Sequence, residues 1–130
     1  MPSTATAPVR VLIVDDGTYF QDVARELVDA TSGFECVGAA CSGEEGVDEA
    51  ERLRPDLVLM DVCMPGIGGM EAARRMSARG NPAVVVLVSA DDALAAHAGA
   101  PRVVPKCKLC PSVLRALWDE RRAQPVAVRA

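Results

Sequence analysis

The chain reads as an α/β domain, a doubly wound parallel sheet of five strands with helices on both faces. Three observations predict this. Short apolar runs alternate five times with segments of helical periodicity. Gly, Pro and Asn punctuate the junctions between them. The 130 residues, half of them hydrophobic and a quarter charged, suffice for one domain with one sizeable core. Strands that alternate with helices need crossover connections, and these make the sheet parallel and cover both its faces.

Met1 to Pro8 is a tail of small residues, expected to be disordered. Val9 to Val14 (VRVLIV) is a compact apolar run that stops at two aspartates, as suits a strand buried on both faces. From Thr18 to Ala30, Phe20, Val23, Ala24, Leu27 and Val28 share one helical face, with Thr18 as candidate cap and Ser32-Gly33 as the stop. Phe34 to Ala40 is a second strand. Ser42 with Glu45 three residues on forms a capping-box pattern, and the helix it opens runs to Leu53, where Pro55 breaks it. Asp56 to Met60 is a third strand that delivers Asp61. A loop through Met64 to Gly69 leads to a helix from Met70 to Arg79, and Gly80-Asn81-Pro82 turns the chain. Ala83 to Val88 is the most hydrophobic strand and is placed centrally. Ser89 follows it. Asp91 to Ala98 has room for about two helical turns, a shortened fourth helix. Gly99-Ala100-Pro101 turns into a short strand, Arg102 to Val104, and the last helix runs from Pro111 to about Ala123, with Pro in an N1-like position. The expected domain is residues 9–123, with 124–130 as a C-terminal tail.

Only four residues are aromatic, so the core falls to Val, Leu, Ala and Met. A formal net charge of −4 argues against general nucleic-acid binding, which needs clustered Lys and Arg. The longest apolar run, Ala83 to Ala90, is too short to cross a bilayer, and the first residues lack a signal peptide's charge and apolar segment. A cytoplasmic location is expected, with the five cysteines as reduced thiols.

In open α/β sheets the functional crevice lies at the carboxyl ends of the strands. Asp15 and Asp16 follow the first strand, Asp61 the third, Ser89 the fourth and Lys106 the fifth. Singly, each has an ordinary structural use: a capping or turn aspartate, a helix cap, a solvated lysine. Together they place five polar groups on one edge of an apolar sheet. Three close carboxylates raise one another's pKa, and a hard divalent cation removes the conflict. A carboxylate nucleophile, a metal, a cation and a hydroxyl donor form a complete set for phosphoryl transfer. Gly66, Gly68 and Gly69 do not make a P-loop, since no Gly-Lys-Ser/Thr follows.

VLIVDD at Val11 to Asp16, DLVLMDVCMPGIGGMEA at Asp56 to Ala72, Ser89-Ala90, and GAPRVVPK at Gly99 to Lys106 resemble the receiver domain of bacterial response regulators. The resemblance runs from about Val9 to Ala123 and is closest to receivers of helix-turn-helix transcriptional regulators. It implies the flavodoxin-like strand order 2-1-3-4-5. It implies Asp61 as phosphoacceptor toward the phosphohistidine of a sensor kinase or phosphotransfer protein. Asp15 and Asp16 match the acidic pair that holds Mg²⁺ (or Mn²⁺), Asp16 directly and Asp15 through water, with the Cys63 backbone carbonyl as a third protein ligand. Ser89 matches the switch hydroxyl, Lys106 the cation that pairs first with the acceptor and then with the phosphate, and Met64-Pro65 and Gly69 the loop after the acceptor. Such a domain catalyses its own phosphorylation and dephosphorylation and is not an enzyme on a separate metabolite.

Three features depart from the family pattern. Val103 stands where Tyr or Phe is usual, which removes the inward swing of a ring. The segment from Ser89 to Gly99 is several residues short, on a face that many receivers use to dimerise or dock partners, so a homodimer is an open arrangement. Cys107 follows Lys106 where Pro is frequent, with Pro105 before it instead, and the strained peptide usual there is not expected. After Lys106 about one helix remains, so the chain reads either as a stand-alone receiver acting on a downstream protein or by phosphorelay, or as a regulator whose DNA-binding domain is missing. The alternative to a phosphorylation switch is a phosphate-independent binding module, motivated by Val103 and the short helix. A third reading is redox signalling through Cys107 and Cys110. That C-x-x-C lacks a second pair or nearby histidines, so zinc is weakly supported. Cys36 and Cys41 read as small core residues, His97 as a plain helix residue, Trp118 with Leu114 and Leu117 as core or interface, and Arg74, Arg75, Arg121 and Arg122 as solvated.

Overall fold

A computed structural model describes residues 7–90 and 103–121. Within them the order is β1 (Val9–Val14), α1 (Thr18–Asp29), β2 (Phe34–Ala40), α2 (Gly43–Leu53), β3 (Leu57–Asp61), α3 (Gly68–Ala78), β4 (Val84–Ser89), β5 (Val103–Pro105), a 3-10 turn (Lys106–Lys108) and α4 (Pro111–Asp119). The short helix expected at Asp91 to Ala98, with His97, lies outside the described residues, as do residues 1–6 and 122–130.

The sheet is parallel throughout and ordered β2-β1-β3-β4-β5. The apolar runs are continuous because both faces are covered. Along β1, Leu12 and Val14 point into one core, Val11 and Ile13 into the other. The first core packs Val58, Met60 and Leu87 against Val47 and Ala50 of α2 and Ala72 and Met76 of α3. The second packs Leu57, Leu59 and Val86 against Ala24 and Val28 of α1 and Leu114 and Leu117 of α4. Each fully buried Leu, Ile or Val contributes about 1.5–3 kcal/mol.

Among the described residues the strands and the first three helices fall within one or two residues of the sequence reading, with instructive differences. β4 is interior but not the middle strand. β3 is, and all five of its residues are buried. Hydrophobicity reports cover on two faces, which a strand beside the edge also has. Thr18 is the first helical residue and not the cap; Gly17 takes that position with no side-chain cap. The Ser42 cap forms, its Oγ accepting from the Glu45 N–H at 3.0 Å, while Glu45 Oε1 accepts from the N–H of Cys41, one residue before the cap. α2 ends with Arg54 in the left-handed region at φ 51°, because Pro55 disfavours the right-handed helical conformation before it. α4 stops at Asp119, short of Ala123, and Arg121 is not simply solvated: its guanidinium lies 3.8 Å from the Trp118 ring centre. Arg74 and Arg75 sit exposed and paired with Glu71. Cys36 is half-buried, but Cys41 is exposed and not a core residue. Pro105 occupies the edge strand, where its missing N–H costs no ladder bond in mid-sheet. No cis peptide occurs among the described residues. Among them, no helix is long and apolar enough to cross a membrane.

Candidate functional site

The site is built where the strands end. Asp15 leaves β1 but keeps sheet geometry, its N–H donating to Ala40 O at 3.0 Å. Its Oδ1 accepts from the Gly17 N–H at 2.7 Å, a short side-chain turn that leads into α1. Gln21 ties the ends of β1 and β2 together, its Nε2 donating to Asp15 O at 2.7 Å and Ala40 O at 3.1 Å. Asp15 is 2% exposed, whereas Asp16 faces solvent.

Asp61 is the last residue of β3 and is 6% exposed. Its Oδ1 accepts from the Cys63 N–H at 3.2 Å, and the next residue, Val62, donates its N–H to Val88 O at 2.9 Å. The turn behind it is held by Gly69, whose N–H donates to Val62 O at 2.9 Å. Gly69 lies hard against the backbone of Asp61: a Cβ there would fall 2.1 Å from Asp61 O. Ser89, 3% exposed, ends β4 one position beyond the residue that pairs with Asp61.

Lys106 follows β5 and reaches back across the sheet end. Its Nζ is 2.6 Å from Asp15 Oδ2 and 3.5 Å from Asp61 Oδ2. The nearer contact is a close ion pair, and among the described residues the Lys106 ammonium is the group that meets the buried Asp15 Oδ2. Burial opposes the Lys106 charge, but Asp15 and Asp61 outweigh it and hold its pKa above the usual lysine value. Burial raises the Asp61 pKa, and the charge of Asp15 adds to this against Lys106 and the Cys63 N–H.

One carboxylate oxygen from each of Asp15, Asp16 and Asp61 lies within 4.8 Å of the others. Ionised, the three carry two more negative charges than Lys106 balances. All the ligand atoms are hard oxygens, and one of them, Asp15 Oδ2, is buried and has only the Lys106 ammonium against it among the described residues. The residues therefore fit a hard divalent cation with oxygen ligands, Mg²⁺ or Mn²⁺. Asp15, Asp16, Asp61 and Lys106 are thus brought together, with Ser89 at the adjoining strand end. Cys63 enters here through its N–H. The C-x-x-C does not join: Cys107 lies exposed in the 3-10 turn and Cys110 at the start of α4, its thiol 3.3 Å from Ser112 Oγ. Neither is disulfide-bonded.

Sequence reasoning missed three groups: the Gly17 N–H, the Gln21 amide and the Phe20 ring, which lies 4.5 Å below Lys106 Nζ. Helical periodicity assigns Phe20 to the core face, and it does pack on the second core, but only in part. Nothing in spacing marks Gln21.

Residues 11–109 match the family model described as the response regulator receiver domain. The response regulator GacA of Pseudomonas viridiflava is 44% identical over 79 residues, 61% of this chain and 36% of that protein. A protein-glutamate methylesterase/protein-glutamine glutaminase of Nocardioides sp. is 36% identical over 124 residues, 88% of this chain and 33% of that one. The chain thus spans about a third of these relatives. Among solved structures, the signal receiver domain of the putative response regulator NarL from Mycobacterium tuberculosis superposes with a TM-score of 0.77 at 25% identity, covering 90% of this chain and 98% of that one. The response regulator domain of Thermotoga maritima CheB gives 0.69 at 27% identity, covering 90% and 96%. Sheet order, the acidic cluster at the strand ends and a family match across most of the chain agree, and the chain belongs to the receiver domains of two-component response regulators.

Proposed function

We propose that this domain is a phosphorylation switch that takes a phosphoryl group onto Asp61 in a reaction dependent on Mg²⁺ or Mn²⁺. The donor is the phosphohistidine of a sensor histidine kinase or phosphotransfer protein. The observation that carries this is the convergence of Asp15, Asp16 and Asp61 within 4.8 Å, with Lys106 2.6 Å from Asp15 and 3.5 Å from Asp61. A carboxylate oxygen of Asp61 attacks phosphorus, the bond from phosphorus to the donor histidine nitrogen breaks, and an acyl phosphate forms. Asp15, Asp16 and the Cys63 carbonyl join Asp61 in holding the metal, which supplies charge neutralisation for the phosphoryl oxygens. Lys106 turns its ammonium from the acceptor to the phosphoryl group, and the Ser89 hydroxyl donates to another phosphoryl oxygen.

The functional unit is residues 9–123, acting in the cytoplasm with no direct contact to nucleic acid or membrane. It works on its own phosphoryl group and not on a separate metabolite. Output passes through the surface near Ser89 and α4 to a protein partner, a second copy or an attached DNA-binding domain, or onward by phosphorelay. Val103 packs beside the first core at the start of β5, and a valine cannot supply the ring movement usual in the family. The phosphate-independent alternative rests on that residue, and the retained acidic set with Lys106 weighs against it.

The test is intact mass after incubation with acetyl phosphate. Gain of one phosphoryl group with Mg²⁺, absent with chelator and in Asp61→Asn, supports the proposal. No gain in a folded protein with Mg²⁺ bound overturns it.

A further inference from the structure

We infer that Phe20 is a positioning residue for the phosphoryl chemistry: its ring is the seat that keeps the Lys106 ammonium in the site while that cation changes anionic partners. The inference rests on the proposed role of Asp61. Phe20 lies in the first turn of α1, five residues after Asp15, and Lys106 follows β5, three strands across the sheet from β1. Nζ stands 4.5 Å from the ring centre, well inside the range at which a ring face attracts a cation. Lys106 is only 20% exposed, so its ammonium has little water to replace a lost partner.

The need for such a seat follows from the distances. Nζ is 2.6 Å from Asp15 and 3.5 Å from Asp61, so the ammonium rests mainly on a carboxylate that the metal is to take. When the carboxylates are engaged by a divalent cation, like charge pushes the ammonium outward. A flexible four-carbon chain would then carry it into solvent. The ring face holds it without competing: it carries no formal charge, makes no directional bond, and leaves all three N–H groups free for a phosphoryl oxygen. Phe34 and Trp118 carry Arg115 and Arg121 on their faces in the same way, but away from the carboxylate cluster.

The experiment compares Phe20→Leu, which keeps apolar bulk and removes the ring, with Phe20→Trp and Phe20→Tyr, which keep a ring face. Two readings are taken on the whole chain. The first is the NMR shift of the Lys106 side-chain CεH₂ protons with and without Mg²⁺. The second is the rate of phosphorylation by acetyl phosphate. Wild type is expected to show upfield ring-current shifts that persist with Mg²⁺ and vanish in Phe20→Leu. The rate is expected to fall about fivefold in Phe20→Leu and to stay within about twofold in the Trp and Tyr variants. In a Lys106→Met background, Phe20→Leu is expected to have no further effect on the residual rate.

Equal losses in all three variants, or the same loss in the Lys106→Met background, would reduce Phe20 to core packing and overturn the inference. So would Lys106 protons without a ring-current shift. A wild-type protein that takes no phosphoryl group sinks the switch itself, and the NMR reading then judges the seat alone: a shift that disappears on adding Mg²⁺ refutes it.

Discussion

Replacing Gly69 with Ala tests how Asp61, the proposed acceptor, is held. Gly69 is not in a conformation reserved for glycine, unlike Gly66 and Gly68 at φ 88° and 74°, so the added methyl acts by bulk alone. It would meet the Asp61 carbonyl oxygen at 2.1 Å, the Asp61 carbonyl carbon at 3.0 Å and the Val62 Cα at 3.0 Å. These are backbone atoms and cannot rotate away. Restoring van der Waals distance requires the start of α3 and the end of β3 to part by about 1 Å. Such overpacking costs about 1–3 kcal/mol. A 1 Å displacement of a reacting group costs up to about a hundredfold in rate. Urea denaturation and the rate of phosphorylation by acetyl phosphate, with Mg²⁺ saturating, read the two effects. The expected outcome is a stability loss in that range and a rate loss of tenfold or more. Unchanged stability would show that the contact yields freely. Lost stability with an unchanged rate would show that α3 moves and Asp61 does not, which contradicts the positioning role given to Gly69.

Three further outcomes follow from the same geometry. Lys106→Met removes the cation that rests on Asp15, so Mg²⁺ binding measured calorimetrically is expected to tighten about tenfold while the phosphorylation rate falls; weaker binding would contradict the competition. Asp61→Asn is expected to raise the melting temperature in chelator at neutral pH. The folded pKa of Asp61 lies above its unfolded value, so the wild-type metal-free protein loses stability as pH rises from the unfolded value, about 3.9, through the folded one. The gap between the two proteins should therefore close below about pH 4, and a gap that widened there would refute the assignment. Arg54→Gly relieves a left-handed residue and keeps its carbonyl as acceptor for Arg10, so thermal unfolding should show about 1 kcal/mol of added stability; a loss would mean that the Arg54 side chain matters more than its backbone.

Much of this could be read from the chain itself, because a parallel sheet covered on both faces writes each strand as an unbroken apolar run that ends at a polar residue. Val11 to Val14 before Asp15 and Leu57 to Met60 before Asp61 are such runs, and the crossover rule turns their order into adjacency of the aspartates. What escaped was set by distance in sequence. No local pattern says that Lys106 would lean on Asp15 in preference to Asp61, since that depends on the reach of a side chain across three strands. Nor does periodicity separate Phe20 as core from Phe20 as the floor beneath an ammonium. It fixes the face of α1 and not what the end of that face meets. Thr18 misled because a hydroxyl beside a helix start suits a cap, yet the Asp15 side chain had already taken the Gly17 N–H and set the entry turn one residue earlier.

The central claim is that the phosphoryl group is carried by Asp61 itself. Its most direct measurement is borohydride trapping of wild-type protein after treatment with acetyl phosphate and Mg²⁺, followed by peptide mapping by mass. Reduction of an aspartyl phosphate yields homoserine, and the account predicts homoserine at position 61 and nowhere else. Homoserine at Asp15 or Asp16, or a stable phosphate on Ser89 with position 61 unmodified, would contradict it.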